Sequence, residues 1–264
     1  MIEVKHLDKY FDNGTRQVLY DINATFYDGK VNLIIGQSGS GKTVLVKNLV
    51  GLFKPEHGEI LYDGRDITKM SRAQLKETRK EIGMLFQGAA LFDSETVIDN
   101  VKFPLMMFSS MSEKEQLERA QFCIDKVNLT GSEHKYPAEL SGGMQKRAAI
   151  ARAIASNPKY LFCDEPNSGL DPKTSIVIDQ LLWDITHEFG ITTIINTHDM
   201  NSVMGIGENI VFINHGHVGW VGNKDQIYDQ DNDELNNFVF ATDLFRDVRK
   251  YRRAHGYVKT NVEY

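Results

Sequence analysis

The chain has 264 residues, 41% hydrophobic and 25% charged, the balance of a soluble globular protein long enough for a real core. A formal net charge of -6 gives nucleic acid no electrostatic footing, and no apolar run approaches the ~20 residues of a membrane-spanning helix. Met1-Ile2-Glu3-Val4-Lys5 reads as neither signal peptide nor transit sequence, so a membrane process would be served from the cytosolic side; Cys123 and Cys163, in apolar-periodic segments, read as buried, reduced thiols.

Residues 2–7 and 18–27 predict two strands about an Asp12-Asn13-Gly14-Thr15 turn, an antiparallel β edge. Phe11 and, as second choice, Tyr10 sit where a flat ring can stack on an adenine base; covering the sheet edge is the other reading. Val31-Asn32-Leu33-Ile34-Ile35 is a β-branched buried strand, and residues 44–50 carry apolar residues at helical spacing. Between them, Gly36-Gln37-Ser38-Gly39-Ser40-Gly41-Lys42-Thr43 fits G-x-x-x-x-G-K-[ST]. Its glycines let backbone N–H groups turn inward on a β-phosphate, and the helix N-terminus adds partial positive charge. Lys42 can reach the β- and γ-phosphates, and the Thr43 hydroxyl can hold Mg2+. The eight residues predict binding of a nucleoside triphosphate.

After Gly51 and Pro55, residues 57–64 read as a strand closed by an Asp-Gly turn. Ser71 and Gln74 form a capping box for a helix to about residue 80, and residues 81–86 form a buried strand ending at Gln87. From about 88 to 158 the pattern turns helical, as an inserted subdomain. It holds a periodic segment at 96–104, then a Met- and Ser-rich bend at 106–111 that suits a partner surface or core filling. Ser112 and Glu115 make a second capping box, with Leu117, Ala120, Cys123, Ile124 and Val127 on one face. Leu140-Ser141-Gly142-Gly143 opens a helix with Ala148, Ala149, Ile150, Ala153 and Ile154 on its buried stripe.

Residues 160–165 return to a buried strand, Asp171 and Pro172 start a helix, and 191–197 is a strand ended by His198. A hairpin follows at Asn214-His215-Gly216-His217, a turn rather than a metal site, since two histidines there lack a third ligand. Beyond about 225 the chain reads as polar and helical. Its basic run at 245–253 suits either a phosphate-rich or acidic partner or a solvated helix face. Strands alternating with helices around the glycine loop predict a mostly parallel α/β sheet.

The Asp164-Glu165 pair ends a strand at the sheet edge where ligands of α/β folds gather. Asp164 suits an acidic partner of Mg2+, and Glu165 a general base polarising the attacking water. Gln87 can bond both Mg2+ and that water without adding charge, and His198 is placed to contact a γ-phosphate.

Leu140-Ser141-Gly142-Gly143-Met144-Gln145 resembles the signature sequence of ATP-binding-cassette (ABC) proteins. The family's other parts stand in order around it: the loop at 36–43, Gln87, the Asp164-Glu165 pair, Ser168-Gly169-Leu170-Asp171 as the D-loop and His198 as the switch histidine. The resemblance covers residues 1 to about 225, leaving 226–264 as a C-terminal tail. It implies the P-loop NTPase fold of ABC ATPases: a RecA-like core, an antiparallel β subdomain and the helical insertion. It also implies hydrolysis of ATP with Mg2+ in a head-to-tail dimer of two copies. Ser141, Gly142 and Gly143 offer a hydroxyl and helix-N-terminal N–H groups, an anion site able to complete the nucleotide site of the second copy, with Asp171 beside it. Asn167 departs from the Thr that many cassettes carry; small and polar, it is expected to matter little.

Gln87-Gly88-Ala89-Ala90-Leu91-Phe92-Asp93-Ser94, followed by Thr96-Val97, Asn100-Val101 and Phe103-Pro104-Leu105, resembles the ATPase subunit of MCE-linked phospholipid transporters. That implies permease partners in the membrane, an MCE-domain protein, and a peripheral place on the cytoplasmic face of the inner membrane. An importer ATPase for amino acids or another polar solute, or a lipoprotein-release cassette, is the alternative. A soluble, non-transport ABC protein is the remaining reading.

Overall fold

The computed structural model describes residues 1–255, so residues 256–264 of the expected tail lie outside the described residues. β1 (Ile2–Phe11) buries Ile2, Val4 and Leu7, and a turn at Asp12–Gly14 returns the chain antiparallel as β2 (Arg16–Phe26). β3 (Val31–Ile35) leads through the glycine loop into α1 (Lys42–Leu49). β4 (His57–Tyr62) and β5 (Arg65–Asp66) are joined by Asp63 and Gly64, whose φ of 47° and 78° match the twist of a tight hairpin. α2 (Arg72–Lys80) starts in the expected capping box, with Ser71 N–H donating to Gln74 Oε1 at 2.9 Å and Gln74 N–H to Ser71 Oγ at 3.3 Å.

β6 (Ile82–Leu85) is followed by three helices, α3 (Val97–Phe108), α4 (Glu113–Lys126) and α5 (Gly142–Ile154), before β7 (Tyr160–Asp164). Then come α6 (Pro172–Phe189), β8 (Thr192–Asn196), α7 (Met200–Ile206), β9 (Asn209–Asn214), β10 (His217–Gly222), α8 (Asp233–Val239) and α9 (Asp243–His255). Among the described residues no helix is long and apolar enough to cross a membrane.

Two sheets result. β2-β1-β4-β5 is antiparallel; β10-β9-β3-β8-β7-β6 is parallel except for its β10 edge. The period-2 alternation of strands divides the core between the faces of the six-stranded sheet. Val31, Leu33 and Ile35 of β3, Leu161 and Cys163 of β7, and Ile210 and Phe212 of β9 join the helices. Ile34, Tyr160, Phe162, Val211 and Ile213 face α1 and the antiparallel sheet. Each such side chain contributes about 1.5–3 kcal/mol by leaving water, and both faces are closed, so the sheet is the rigid element from which the loops are hung. Cys123 and Cys163 are buried and unpaired, and burial pushes the Cys123 thiol up to about 11.

Three segments differ from expectation. α3 runs on through Pro104 to Phe108, where a bend was expected from 106. An interior proline forfeits a helix bond at about 3 kcal/mol, but Leu105 buries fully beyond it. The Leu105 carbonyl is also capped by Ser109 Oγ at 2.7 Å and Ser109 N–H at 3.0 Å. Met106, Met107 and Phe108 are thereby exposed on a helix. Leu117, expected on the buried face of α4, is exposed at the rim of a shallow depression with Ile98 and Phe122, while Ala120, Cys123, Ile124 and Val127 are buried.

The third difference is at the C-terminal end. Ile227, Tyr228, Leu235, Val239 and Phe240 belong to the same core as β3. The basic run meets neither expectation fully: Arg246 Nε donates to the Phe240 carbonyl at 3.0 Å, and Arg249 and Arg253 Nε each donate to the Tyr228 carbonyl at 3.1 Å. Carbonyls at the ends of short helical turns lack partners within the turn and carry partial negative charge, which draws guanidinium groups.

Candidate active site

In a parallel sheet the C-terminal ends of neighbouring strands share one edge. With β3, β8, β7 and β6 adjacent, the glycine loop, His198, Asp164-Glu165 and Gln87 all leave from that edge. The glycine loop is shaped by contacts only glycine permits. A Cβ at Gly36, where φ is 150°, would stand 2.1 Å from the Ile213 carbonyl oxygen.

Lys42 is 7% exposed, and its Nζ donates to the carbonyls of Gly36 at 2.8 Å and Gln37 at 2.9 Å. Burial lowers its pKa, with the Glu165 and Asp164 charges opposing. Thr43 is exposed at the start of α1, whose first-turn N–H groups have no partner within the helix. Ser40 Oγ is buried with no hydrogen-bond partner among the described residues. A buried cation held only by carbonyls, free helix N–H groups and an orphaned hydroxyl fit a phosphate chain; Thr43 and Asp164, two hard oxygen donors, fit Mg2+.

Asp164 Oδ1 accepts from Asn196 Nδ2 at 2.6 Å, and the same nitrogen lies 3.5 Å from Thr43 Oγ1. Glu165 has φ of 49°, a left-handed conformation that costs a non-glycine residue about 1–2 kcal/mol. Its N–H donates to the Asn196 carbonyl at 2.9 Å, and Ser168 N–H donates to its carbonyl at 3.1 Å, which hold the strained turn. Its Oε1 lies 2.8 Å from His198 Nδ1, the ring N–H donating to the carboxylate. Gln87 is exposed, and its Nε2 donates to Ser168 Oγ at 3.2 Å.

Other expected residues stand elsewhere. Phe11 is half-buried with its ring set edge-on to Phe53 at 5.4 Å and Lys9 Nζ 5.2 Å from its centroid. Ser141 caps α5, its Oγ accepting from Met144 N–H at 3.3 Å, and Ser141 and Gly142 are exposed. A Cβ on Gly143 would meet Thr174 at 2.6 Å, so the signature turn packs on the start of α6. Among the described residues no hydrogen bond joins 141–143 to 36–43. The exposed Asp171 carboxylate caps α6, accepting from Lys173 and Thr174 N–H at 3.1 Å each; the hydrogen bond from the Thr174 hydroxyl, with those backbone bonds, holds its pKa low.

Sequence reasoning missed three residues of this edge. Asn196 was concealed as one amide in a β-branched strand. Lys146 and Arg152 lie on α5, where a cation in register with Gly143 and Ile150 on the buried stripe was the available signal. Lys146 Nζ donates to the Gln87 carbonyl and lies 3.5 Å from that of Glu165. Arg152 donates to the carbonyls of Ala89 at 2.8 Å and Ala90 at 2.7 Å, two residues in left-handed conformation. A bond from a charged donor is worth about 1.5–3 kcal/mol. Lys146→Met is therefore expected to lower ATP turnover by about ten-fold while thermal stability holds, since a buried charge is removed with the bond. Wild-type turnover at saturating ATP would dismiss the tether.

The ABC transporter family model matches residues 19–168. The chain is 38% identical over 238 residues to a probable ribonucleotide transport ATP-binding protein of Mycobacterium leprae, covering 90% of this chain and 68% of that one. It is 39% identical over 246 residues to the methionine import ATP-binding protein MetN of Vibrio vulnificus, covering 92% and 71%. The Mycobacterium bovis counterpart of the first is spanned to 66% of its length. Among solved structures, cbiO1 from Clostridium perfringens, part of an ABC transporter complex, superposes with a TM-score of 0.82 at 31% identity over 96% of this chain and 98% of its own. The cassette MJ0796, solved as a dimer bound to ADP and Pi, gives 0.76 at 33% identity over 85% and 99%. With the phosphate loop, the carboxylate pair and the histidine on one sheet edge, the chain belongs to the ABC transporter family, as an ATPase cassette that takes ATP and Mg2+.

Proposed function

We propose that this chain is the ATPase subunit of a membrane transporter that moves phospholipid in an MCE-type system, acting as two head-to-tail copies beneath two permease subunits. The observation that supports hydrolysis is the Glu165–His198 contact of 2.8 Å beside the phosphate loop. Lys42 and the N–H groups of residues 36–43 would hold the phosphates; Thr43 and Asp164, with Gln87, would hold Mg2+, and Asn196 fixes the Asp164 carboxylate. A divalent cation held there would supply positive charge to the phosphate chain. Glu165 takes the proton of the attacking water, and His198 holds the Glu165 carboxylate and reaches the γ-phosphate. Ser141, Gly142 and Gly143 of the other copy close the site, with its Asp171 alongside; Phe11 offers a ring to the base.

We place the ATPase domain at residues 1–225, with 88–158 as its helical insertion, and 226–264 as a C-terminal tail, of which Ile227, Tyr228, Leu235, Val239 and Phe240 pack into the core. The lipid reading is supported by the segment after Gln87 together with the surface it builds. A groove of about 320 Å³ opens beside Gln87, rimmed by Phe86, Phe92, Phe103, Pro104 and Phe108. An apolar, aromatic groove suits a helix of a membrane partner. The complex is thus peripheral on the cytoplasmic face of the inner membrane.

The test is to purify the tagged chain from detergent-solubilised membranes and identify what accompanies it. A permease with an MCE-domain protein and co-extracted phospholipid is the expected result. A solute-binding protein in their place would overturn the lipid reading in favour of a polar-solute importer, the reading that 39% identity to a methionine importer supports.

A further inference from the structure

Asn167, Asp179 and Ser202 come from three separate segments, and each is at least nine-tenths buried. Asn167 lies two residues past Glu165, Asp179 is on α6, and Ser202 is on α7, four residues past His198. Asn167 Nδ2 donates to Asp179 Oδ1 at 2.8 Å and to Ser202 Oγ at 3.0 Å. Asp179 and Ser202 thus meet through the single Asn167 amide, and the Ser202 hydroxyl is near enough to favour the charged form of Asp179. Burial pushes Asp179 up to about 6, with the Asn167 hydrogen bond and the nearby Ser202 hydroxyl opposing and Asp199 at the start of α7 adding repulsion. A carboxylate in such a place is costly where Leu or Ser would merely pack, so its two anchored partners are what it supplies.

We propose that Asp179 is a positioning residue for ATP hydrolysis: through Asn167 and Ser202 it locks the turn carrying Glu165 to the segment carrying His198. It rests on the roles proposed above for Glu165 and His198. β7 and β8 pair only as far as Asp164 and Asn196, so beyond the sheet edge nothing in the strand ladder sets the Glu165–His198 distance. The Asn167 amide, bonded to both Asp179 and Ser202, is a tie beyond that edge, anchored on α6. Asn167, expected from sequence to matter little, becomes the link: Thr could offer one hydroxyl hydrogen, whereas the amide bonds both partners at once.

Asp179→Leu is expected to lower kcat about ten-fold with the KM for ATP within about two-fold, because a displaced base fails in the transition state and not in binding. Asp179→Asn keeps an acceptor for the Asn167 amide and offers its own amide to the Asn167 Oδ1, which lacks a partner among the described residues. It is expected to restore kcat to within about three-fold of wild type. Wild-type kcat in folded Asp179→Leu, or equal losses in the Leu and Asn variants, would overturn the proposal. Should Asp179→Leu not fold, Ser202→Ala removes one hydroxyl, and there kcat falls about three-fold at unchanged KM or the proposal is overturned. Glu165→Gln in the same assay separates the two ideas. If it hydrolyses ATP like wild type, the reading of Glu165 fails. If it is inactive while the Asp179 variants are unaffected, only the positioning role fails.

Discussion

Glu165→Gln is expected to cut steady-state ATP turnover by about 10²- to 10⁴-fold while ATP affinity stays within about two-fold of wild type. The substitution is nearly isosteric, so the strained turn is kept: its two holding bonds are from backbone groups, Glu165 N–H to Asn196 and Ser168 N–H to the Glu165 carbonyl. His198 can still donate to the amide oxygen. Only the proton acceptor is lost, and it acts after the phosphates are seated by Lys42 and the loop around it. Single-turnover hydrolysis beside equilibrium nucleotide binding checks both halves. Undiminished hydrolysis would remove Glu165 as the base, and lost binding would mean that it holds the ion.

Ser141→Arg is expected to leave nucleotide binding by the single chain intact and to reduce hydrolysis by about 10²-fold, with loss of cooperativity in ATP. Ser141 is exposed at the N-terminus of α5, which its Oγ caps, and among the described residues it bonds nothing in its own phosphate loop, as the proposed role toward a second copy requires. The lost cap costs about 1 kcal/mol locally, too little to unfold the domain. The guanidinium would instead fill the space that the second nucleotide's phosphates require. The measurement is the Hill coefficient, together with ATP-dependent dimerisation in a Glu165→Gln background. A wild-type rate would mean that the signature turn closes no site.

Much of this edge was legible because its signals are local. Ile34 and Ile35 before Gly36, the Ser71–Gln74 and Ser112–Glu115 boxes, and Asp171 before Pro172 each declare an element within a few residues, and each element is present. What escaped depends on partners distant in sequence. Pro104 reads locally as an end, and only Leu105 seated in the core carries α3 past it. Arg249 and Arg253 read as a charged face until residues 228 and 230 lie beside them. Lys146 is one cation among many until Gln87, 59 positions earlier, presents its carbonyl. Asn196 and Asn167 look like polar filler because an amide's worth lies in which two groups it joins.

The position of β3 also has a consequence for synthesis. Its neighbours in the sheet are β8 and β9, and the loop after it is completed by Ile213 against Gly36 and by Gly216 N–H donating to the Ser40 carbonyl at 3.0 Å. The ribosome therefore releases the phosphate-binding residues long before the strands that shape them, a delay of roughly 10–40 s at ordinary elongation rates. Until then a nascent chain lacks the backbone contacts that shape its phosphate loop.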